Sequence, residues 1–212
     1  MIKYLLAGAA AALMIPTGMA HASDTTVVGP GTTIFPSVPL PCTIAAVGHN
    51  DAGENVALTA GHCWVSSPNV YNRDGRYIGK FTQRAAQWGN LQDDWAIITL
   101  DPGVTEGWFT PDGQLISSIG SDPQPGQALT KFGQTTRTTT GTVTALDGNV
   151  IHASTLAFNG DSGGPAYQGS ALVGLVSAMD TSPQTLSAGG GTLFSGIDGI
   201  MADIAQHGGF HL

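Results

Sequence analysis

Over most of its length this chain never keeps one apolar run going for long. Thirty glycines and twelve prolines, with frequent Ser, Thr, Asn and Asp, cut it into short pieces. That punctuation excludes long helices and predicts many short strands joined by turns. The candidate strands are Thr43 to Val47, Val56 to Thr59, Tyr77 to Phe81, Trp95 to Leu100, Ala128 to Phe132, Gly141 to Leu146, Gly164 to Tyr167, Ala171 to Ser177 and Thr192 to Ile197. One segment departs from the pattern. Asp198 to Gln206 places Ile200, Met201, Ile204 and Ala205 at helical spacing, with Asp198 predicted to cap it and Gly208-Gly209 to end it. An all-β chain with one short terminal helix is expected. The stretch Asp101 to Gly126, with Pro102, Pro111, Pro123 and Pro125, breaks the rhythm and predicts a connection between two halves, 23–115 and 116–212.

Residues 1–22 are read apart from the fold. A basic start at Lys3, an apolar Ala-rich run from Tyr4 to Ile15 and the small-x-small pattern Ala20-His21-Ala22 predict a secretory signal peptide, cleaved after Ala22 or, alternatively, after Ala20. The run is too short for a span of about 20 residues, so no stable membrane span is expected after cleavage. Six basic residues then remain against 15 acids, a net charge of −9 with His neutral. Such a surface lacks the basic patch that nucleic acid or anionic lipid would require. In an exported chain the two cysteines, Cys42 and Cys63, predict a disulfide tethering the segment around His62, with two buried free thiols as the alternative. They cannot form a four-ligand zinc site alone, and neither metal nor cofactor is expected.

Three motifs carry chemistry. Gly160-Asp161-Ser162-Gly163-Gly164-Pro165 sets a serine among glycines, where a tight turn lets successive N–H groups converge on a developing oxyanion. A serine hydroxyl is a poor nucleophile until a neighbouring base takes its proton. Of the five histidines past residue 22 (His49, His62, His152, His207 and His211), His62 ends the buried-looking run Val56 to Ala60 and precedes Cys63, a place where a base would be held firmly. Between them lie adjacent acids, Asp93 and Asp94. In an extended segment one should point inward and the other outward.

The combination Thr59-Ala60-Gly61-His62-Cys63, Asp94-Trp95-Ala96-Ile97 and Gly160 to Pro165, in the order His, Asp, Ser, resembles the chymotrypsin-like serine proteases, in particular their secreted bacterial branch. Further likeness lies in Leu129 to Gly133, in Gly141 to Leu146 and in Gly174-Leu175-Val176-Ser177. The resemblance implies two six-stranded antiparallel β-barrels and a secreted endopeptidase that works through an acyl-enzyme. In it, Ser162 would be nucleophile, His62 base and then acid, and Asp94 orienter, with the N–H groups of Gly160 and Ser162 as oxyanion donors. It also implies that Ser177 buttresses Asp94 and that Lys131 pairs with Asp161, the alternative partner being an N-terminal ammonium freed within Val27-Val28-Gly29-Pro30, where Pro30 departs from the usual Gly. Peptides or proteins would be the substrates, and a monomer is expected.

The substrate wall is expected around Leu156 and Ala157, with Ser177, Ala178 and Met179 opposite. The segment Ser154 to Asn159 has no acid to receive Lys or Arg, which predicts a small-to-medium apolar occupant unless Asp180 swings inward. The bacterial branch often has a second disulfide bracing this region, for which no cysteine is left. Two other readings stand beside this one. One is an inactive or weak protease-like binding protein. The other is an esterase of the order Ser162, Asp198, His207, since the glycines also satisfy Gly-x-Ser-x-Gly.

Overall fold

The computed structural model describes residues 26–36, 40–85, 90–182, 185 and 189–212. The expected signal peptide lies outside the described residues. Among the described residues, sixteen strands form two seven-stranded sheets and a two-stranded parallel pair of β1 (Thr26–Val28) and β9 (Val104–Glu106).

The first sheet runs β3 (Cys42–Thr43), β2 (Thr33–Pro36), β6 (Asn69–Asn72), β7 (Tyr77–Arg84), β8 (Ala96–Leu100), β5 (Asn55–Thr59), β4 (Ala46–His49). Its two edges are consecutive pieces of one stretch of chain. Between them Ile44 N–H donates to the Thr32 carbonyl on one side, and Ala45 N–H to Leu58 on the other. The sheet therefore curls round on itself. In the second sheet β15 (Ala171–Met179), β14 (Pro165–Gln168), β11 (Ala128–Gly133), β12 (Arg137–Asp147), β13 (Val150–Ala153) and β16 (Thr192–Gly196) close fully, because β16 pairs back onto β15. Strand β10 (Ser118–Ile119) adds in parallel to β15. The expected all-β, two-barrel architecture is the one found.

Each barrel has its own apolar filling, Ile34, Ala57 and Ile98 among the first and Leu129, Val143 and Phe194 among the second. A third cluster lies between them and includes Val56, Leu58, Trp95, Ile97, Phe132, Leu175 and Ile200. Along β5, Ala57 faces the barrel while Val56 and Leu58 face the interface. Strand β8 divides Ile98 and Ile97 in the same way. These strands are buried on both faces, which is why their sequences are unbroken apolar runs rather than alternating ones.

The helix α1 spans Ile197–Ile204 and packs Ile197, Ile200 and Ile204 into the interface. The expectation for its start is corrected. Gly196 occupies the N-cap position, and Asp198 lies one residue inside the helix. The cap comes from elsewhere: Asp122 accepts from Asp198 N–H at 3.0 Å, and Asp198 accepts from Asp122 N–H at 3.1 Å. A cap donated by a distant loop has no local sequence signature. The C-terminal end behaves as expected, with Gly208 and Gly209 at φ of 102° and 74° and Gly209 N–H returning to Ile204.

Candidate active site

Strands β5 and β8 are antiparallel with Thr59 opposite Ala96. A residue three places beyond Thr59 and one two places before Ala96 therefore emerge at the same end of the pair, and these are His62 and Asp94. His62 sits in a single 3-10 turn, Gly61–Cys63. A Cβ on Gly61 would come within 2.8 Å of the Trp95 carbonyl, so the approach of the two segments requires a glycine there. Cys63 closes that turn onto β3 through a disulfide to Cys42.

The Asp94 carboxylate is 4% exposed. It accepts from His62 N–H at 2.8 Å and from His62 Nδ1 at 2.7 Å, and the Ser177 hydroxyl donates to the same oxygen that receives Nδ1. Burial alone would raise the Asp94 pKa. The hydrogen bonds and charge of His62, with the Ser177 hydroxyl, outweigh it and hold the group below its ordinary value. With Nδ1–H committed to Asp94, the lone pair at Nε2 is free for a neighbouring hydroxyl. Asp93 ends the preceding 3-10 turn, and among the described residues its carboxylate takes one contact, from the Asn90 amide at 3.4 Å. Ser195, which the sequence did not single out, accepts from Asp94 N–H at 3.3 Å and donates to the Leu91 carbonyl at 2.7 Å.

Ser162 lies on the turn before β14, in the second barrel, and is pressed against the first. Thr43 N–H donates to the Ser162 carbonyl at 2.8 Å, and Thr43 Oγ1 donates to Gly160 O at 2.8 Å. Gly163, at φ 80°, lies so close to Thr59 Oγ1 and the Thr43 carbonyl that a side chain would collide. Asp161, Gly163 and Gly164 N–H groups donate to Phe158, Val176 and Asp161 carbonyls. Among the described residues, the N–H groups of Gly160 and Ser162 have no acceptor.

Directly behind this turn, Asp161 and Lys131 are both fully buried with Nζ 3.0 Å from Oδ2. The Asp161 carboxylate also receives Thr135 N–H at 2.8 Å, Thr136 N–H at 3.1 Å, Phe158 N–H at 3.0 Å and the Thr136 hydroxyl. Burial pushes its pKa up, but these donors and the lysine more than compensate, and the net shift is downward. The Lys131 ammonium is pulled below its usual value by burial, against the opposing effect of Asp161. Its remaining contacts are the Thr136 hydroxyl and the Arg137 carbonyl. The segment Val27 to Pro30 is engaged elsewhere, in β1 and its following turn.

His62 and Ser162 line both lobes of a cleft. One lobe, of about 350 Å³, is walled by Ala157, Phe158, Val176, Ser177, Ala178 and Met179. The other, of about 260 Å³, lies over Leu40, Pro41, Val65 and the disulfide. Leu156 does not line either; its side chain is half exposed, and its carbonyl accepts the Thr139 hydroxyl at 3.0 Å. Asp180 is tied down by Ser182 N–H, Thr185 Oγ1 and His152 and does not line the cleft. Asp198 is bound to Asp122, and His207 lies against Trp95 with ring centroids 5.9 Å apart, so neither shares the cleft with Ser162. Together with the all-β fold this removes the Ser-acid-His esterase reading. Among the described residues the one close group of metal-type ligands is Cys42, His62 and Cys63, and its two sulfurs are consumed in the disulfide.

A family model described as Trypsin matches residues 48–195. An uncharacterized protein of Mycobacterium tuberculosis is 32% identical over 135 residues, 58% of this chain and 61% of that protein. Streptogrisin-D of Streptomyces griseus is 31% identical over 167 residues, 71% of this chain and 40% of that protein. The match thus spans less than two thirds of either relative's length. Among solved structures, a glutamic acid specific serine protease superposes with a TM-score of 0.69 at 24% identity, covering 87% of this chain and all of the other.

Proposed function

Since the chain belongs to the trypsin family, we propose that it is an exported serine endopeptidase that cleaves peptide bonds through an acyl-enzyme. The observation that carries this reading is the buried Asp94 carboxylate, which receives both the backbone N–H and Nδ1 of His62 beside Ser162 in one cleft. Asp94 holds the His62 tautomer and stabilises the imidazolium once it forms. Nε2 takes the Ser162 proton as the hydroxyl attacks the substrate carbonyl, and returns it to the leaving amine. The N–H groups of Gly160 and Ser162 supply two donors for the oxyanion. Water then repeats the sequence on the ester with His62 again as base. Export is supported by the expected signal segment and the disulfide; among the described residues no helix is long and apolar enough to cross a membrane.

The larger lobe sets the preference for the acyl-side residue. Besides His62 and Ser162 its walls are Ala157, Phe158, Asn159, Val176, Ser177, Ala178, Met179 and Thr181, with no acidic, lysine or arginine side chain among the described residues. A buried Lys or Arg would find no counter-charge there. An acidic residue fares no better: the glutamic acid specific protease uses a histidine triad in substrate binding, whereas this lobe has one histidine, already committed to Asp94. A small or medium apolar side chain is therefore the occupant. Digestion of a peptide library followed by cleavage-site sequencing tests this: apolar residues should dominate, and a majority of Lys, Arg or Glu would refute it.

A further inference from the structure

Among the described residues, Arg137 is the one non-glycine with a left-handed backbone, at φ 59°. It closes the hairpin from β11 to β12, pairing with Gly133 across a three-residue loop, Gln134-Thr135-Thr136. In a hairpin of this kind the left-handed position favours glycine, and an arginine there is strained. The side chain shows what that strain is exchanged for. Its guanidinium donates to Asp112 Oδ1, and the neighbouring Thr138 hydroxyl donates to Asp112 Oδ2 at 2.8 Å. The guanidinium also lies over the Phe132 ring, 4.7 Å from its centroid. Asp112 belongs to the connection between the barrels, in a turn closed by Gly113 N–H donating to the Thr110 carbonyl. The connection is therefore fastened to the hairpin through Thr138 and through Arg137, the latter in an unfavourable backbone state.

The loop so held is the one that grips the nucleophile turn. Thr135 and Thr136 N–H groups and the Thr136 hydroxyl bind Asp161, and Thr135 Oγ1 donates to the Asn159 carbonyl at 2.7 Å. The Arg137 carbonyl itself accepts from Lys131. Gln134 N–H donates to Thr43 Oγ1, the hydroxyl that donates to Gly160 O, and Arg73 of the first barrel holds the Gln134 side chain at 2.8 Å. Apart from Phe158 and Gly164 of the turn itself and the Cys63 sulfur, the hydrogen-bonding groups that hold residues 159–162 thus come from this hairpin or from Thr43.

We propose that Arg137 and Asp112 are positioning residues: a latch between the connection and the hairpin that keeps the Gly160 and Ser162 N–H groups aimed at the oxyanion. They act through Thr135, Thr136 and Lys131 and touch no substrate. The inference rests on the protease reading above. Misplacing an oxyanion donor acts on the transition state, so kcat should fall while KM stays put.

Arg137→Gly separates the latch from the fold, because glycine adopts φ 59° without strain while losing both side-chain contacts. The expected result is a melting temperature equal to or above that of the wild type, kcat about tenfold lower and KM unchanged. Asp112→Asn should lower kcat in the same direction. The pair is half exposed, at 50% and 34%, so wild-type kcat should fall in about 1 M salt while that of Arg137→Gly should not respond. Amide hydrogen exchange gives a readout independent of turnover: the Thr135 and Thr136 amides should exchange faster in Arg137→Gly. Wild-type kcat and unchanged exchange in that variant would overturn the latch. Absence of turnover in the wild type would overturn the protease reading instead, and the exchange comparison would still decide whether the latch exists.

Discussion

The Asp94 carboxylate draws donors from both barrels: His62 from the turn after β5, and Ser177 from β15. Asp94→Asn would present an N–H where the ring nitrogen needs an acceptor, favouring the wrong tautomer, and turnover should drop by about 10⁴-fold with the fold intact. Ser177→Ala removes one donor and leaves the others, so a loss of about tenfold in kcat is expected. Steady-state kinetics with circular dichroism on each variant check both. Behind Ser162, Lys131→Met leaves Asp161 without its counter-ion and should cost about 3–5 kcal/mol, lowering melting temperature and turnover together. The pH dependence has the same sign for all three groups, since each binds its proton more weakly in the folded state and stability therefore rises with pH. Asp94 and Asp161 have folded pKa values below the ordinary 3.8. Their contribution to stability is complete above that value and is lost as pH falls through the folded values. Lys131 is depressed below 10.5, so its charged form is a cost in the folded state, one that eases as pH rises through its folded value. Melting temperature should therefore fall below about pH 4, and in Lys131→Met/Asp161→Asn that acid slope should be shallower.

At the scale of single elements, the disulfide joins cysteines 21 residues apart and fixes the turn that carries His62. Replacing both with serine should destabilise the protein by about 3 kcal/mol, measurable by urea unfolding. Strands such as β5 and β8 were legible because burial on both faces leaves an uninterrupted apolar run. Strands β1, β2, β6, β9, β10 and β13 were not, since they are two to four residues long and carry polar residues such as Asn69, Asn72 and His152. The predicted start of β12 at Gly141 was four residues late, because its first part, Arg137 to Thr140, has no apolar side chain to mark it. The residues of the proposed triad stood out by motif. Thr43, Thr135, Thr136 and Ser195 did not, because one hydroxyl among many in a β-rich chain shows its partner only when distant segments are brought together.

For the whole molecule, the residues of the proposed triad come from both sides of one interface, His62 and Asp94 from the first barrel and Ser162 from the second. The apolar layer that joins the barrels is thus as important to the site as any polar contact in it. Trp95, adjacent to Asp94, is fully buried in that layer and donates its indole N–H to Asp203 at 2.9 Å. Trp95→Ala should cost about 3–5 kcal/mol and lower activity by displacing Asp94. The paired barrels were implied by motif resemblance; the residues of their interface were not visible beforehand, because a side chain that faces the other barrel looks in sequence like one that faces its own. In the proposed mechanism Ser162 is activated by His62 across this interface. A fluorophosphonate probe with mass spectrometry on the purified protein tests it most directly. One label per chain on Ser162, lost in Ser162→Ala and strongly slowed in His62→Ala, is the predicted result. Peptide hydrolysis at the wild-type rate in Ser162→Ala, or a folded wild type whose Ser162 never reacts, would contradict it.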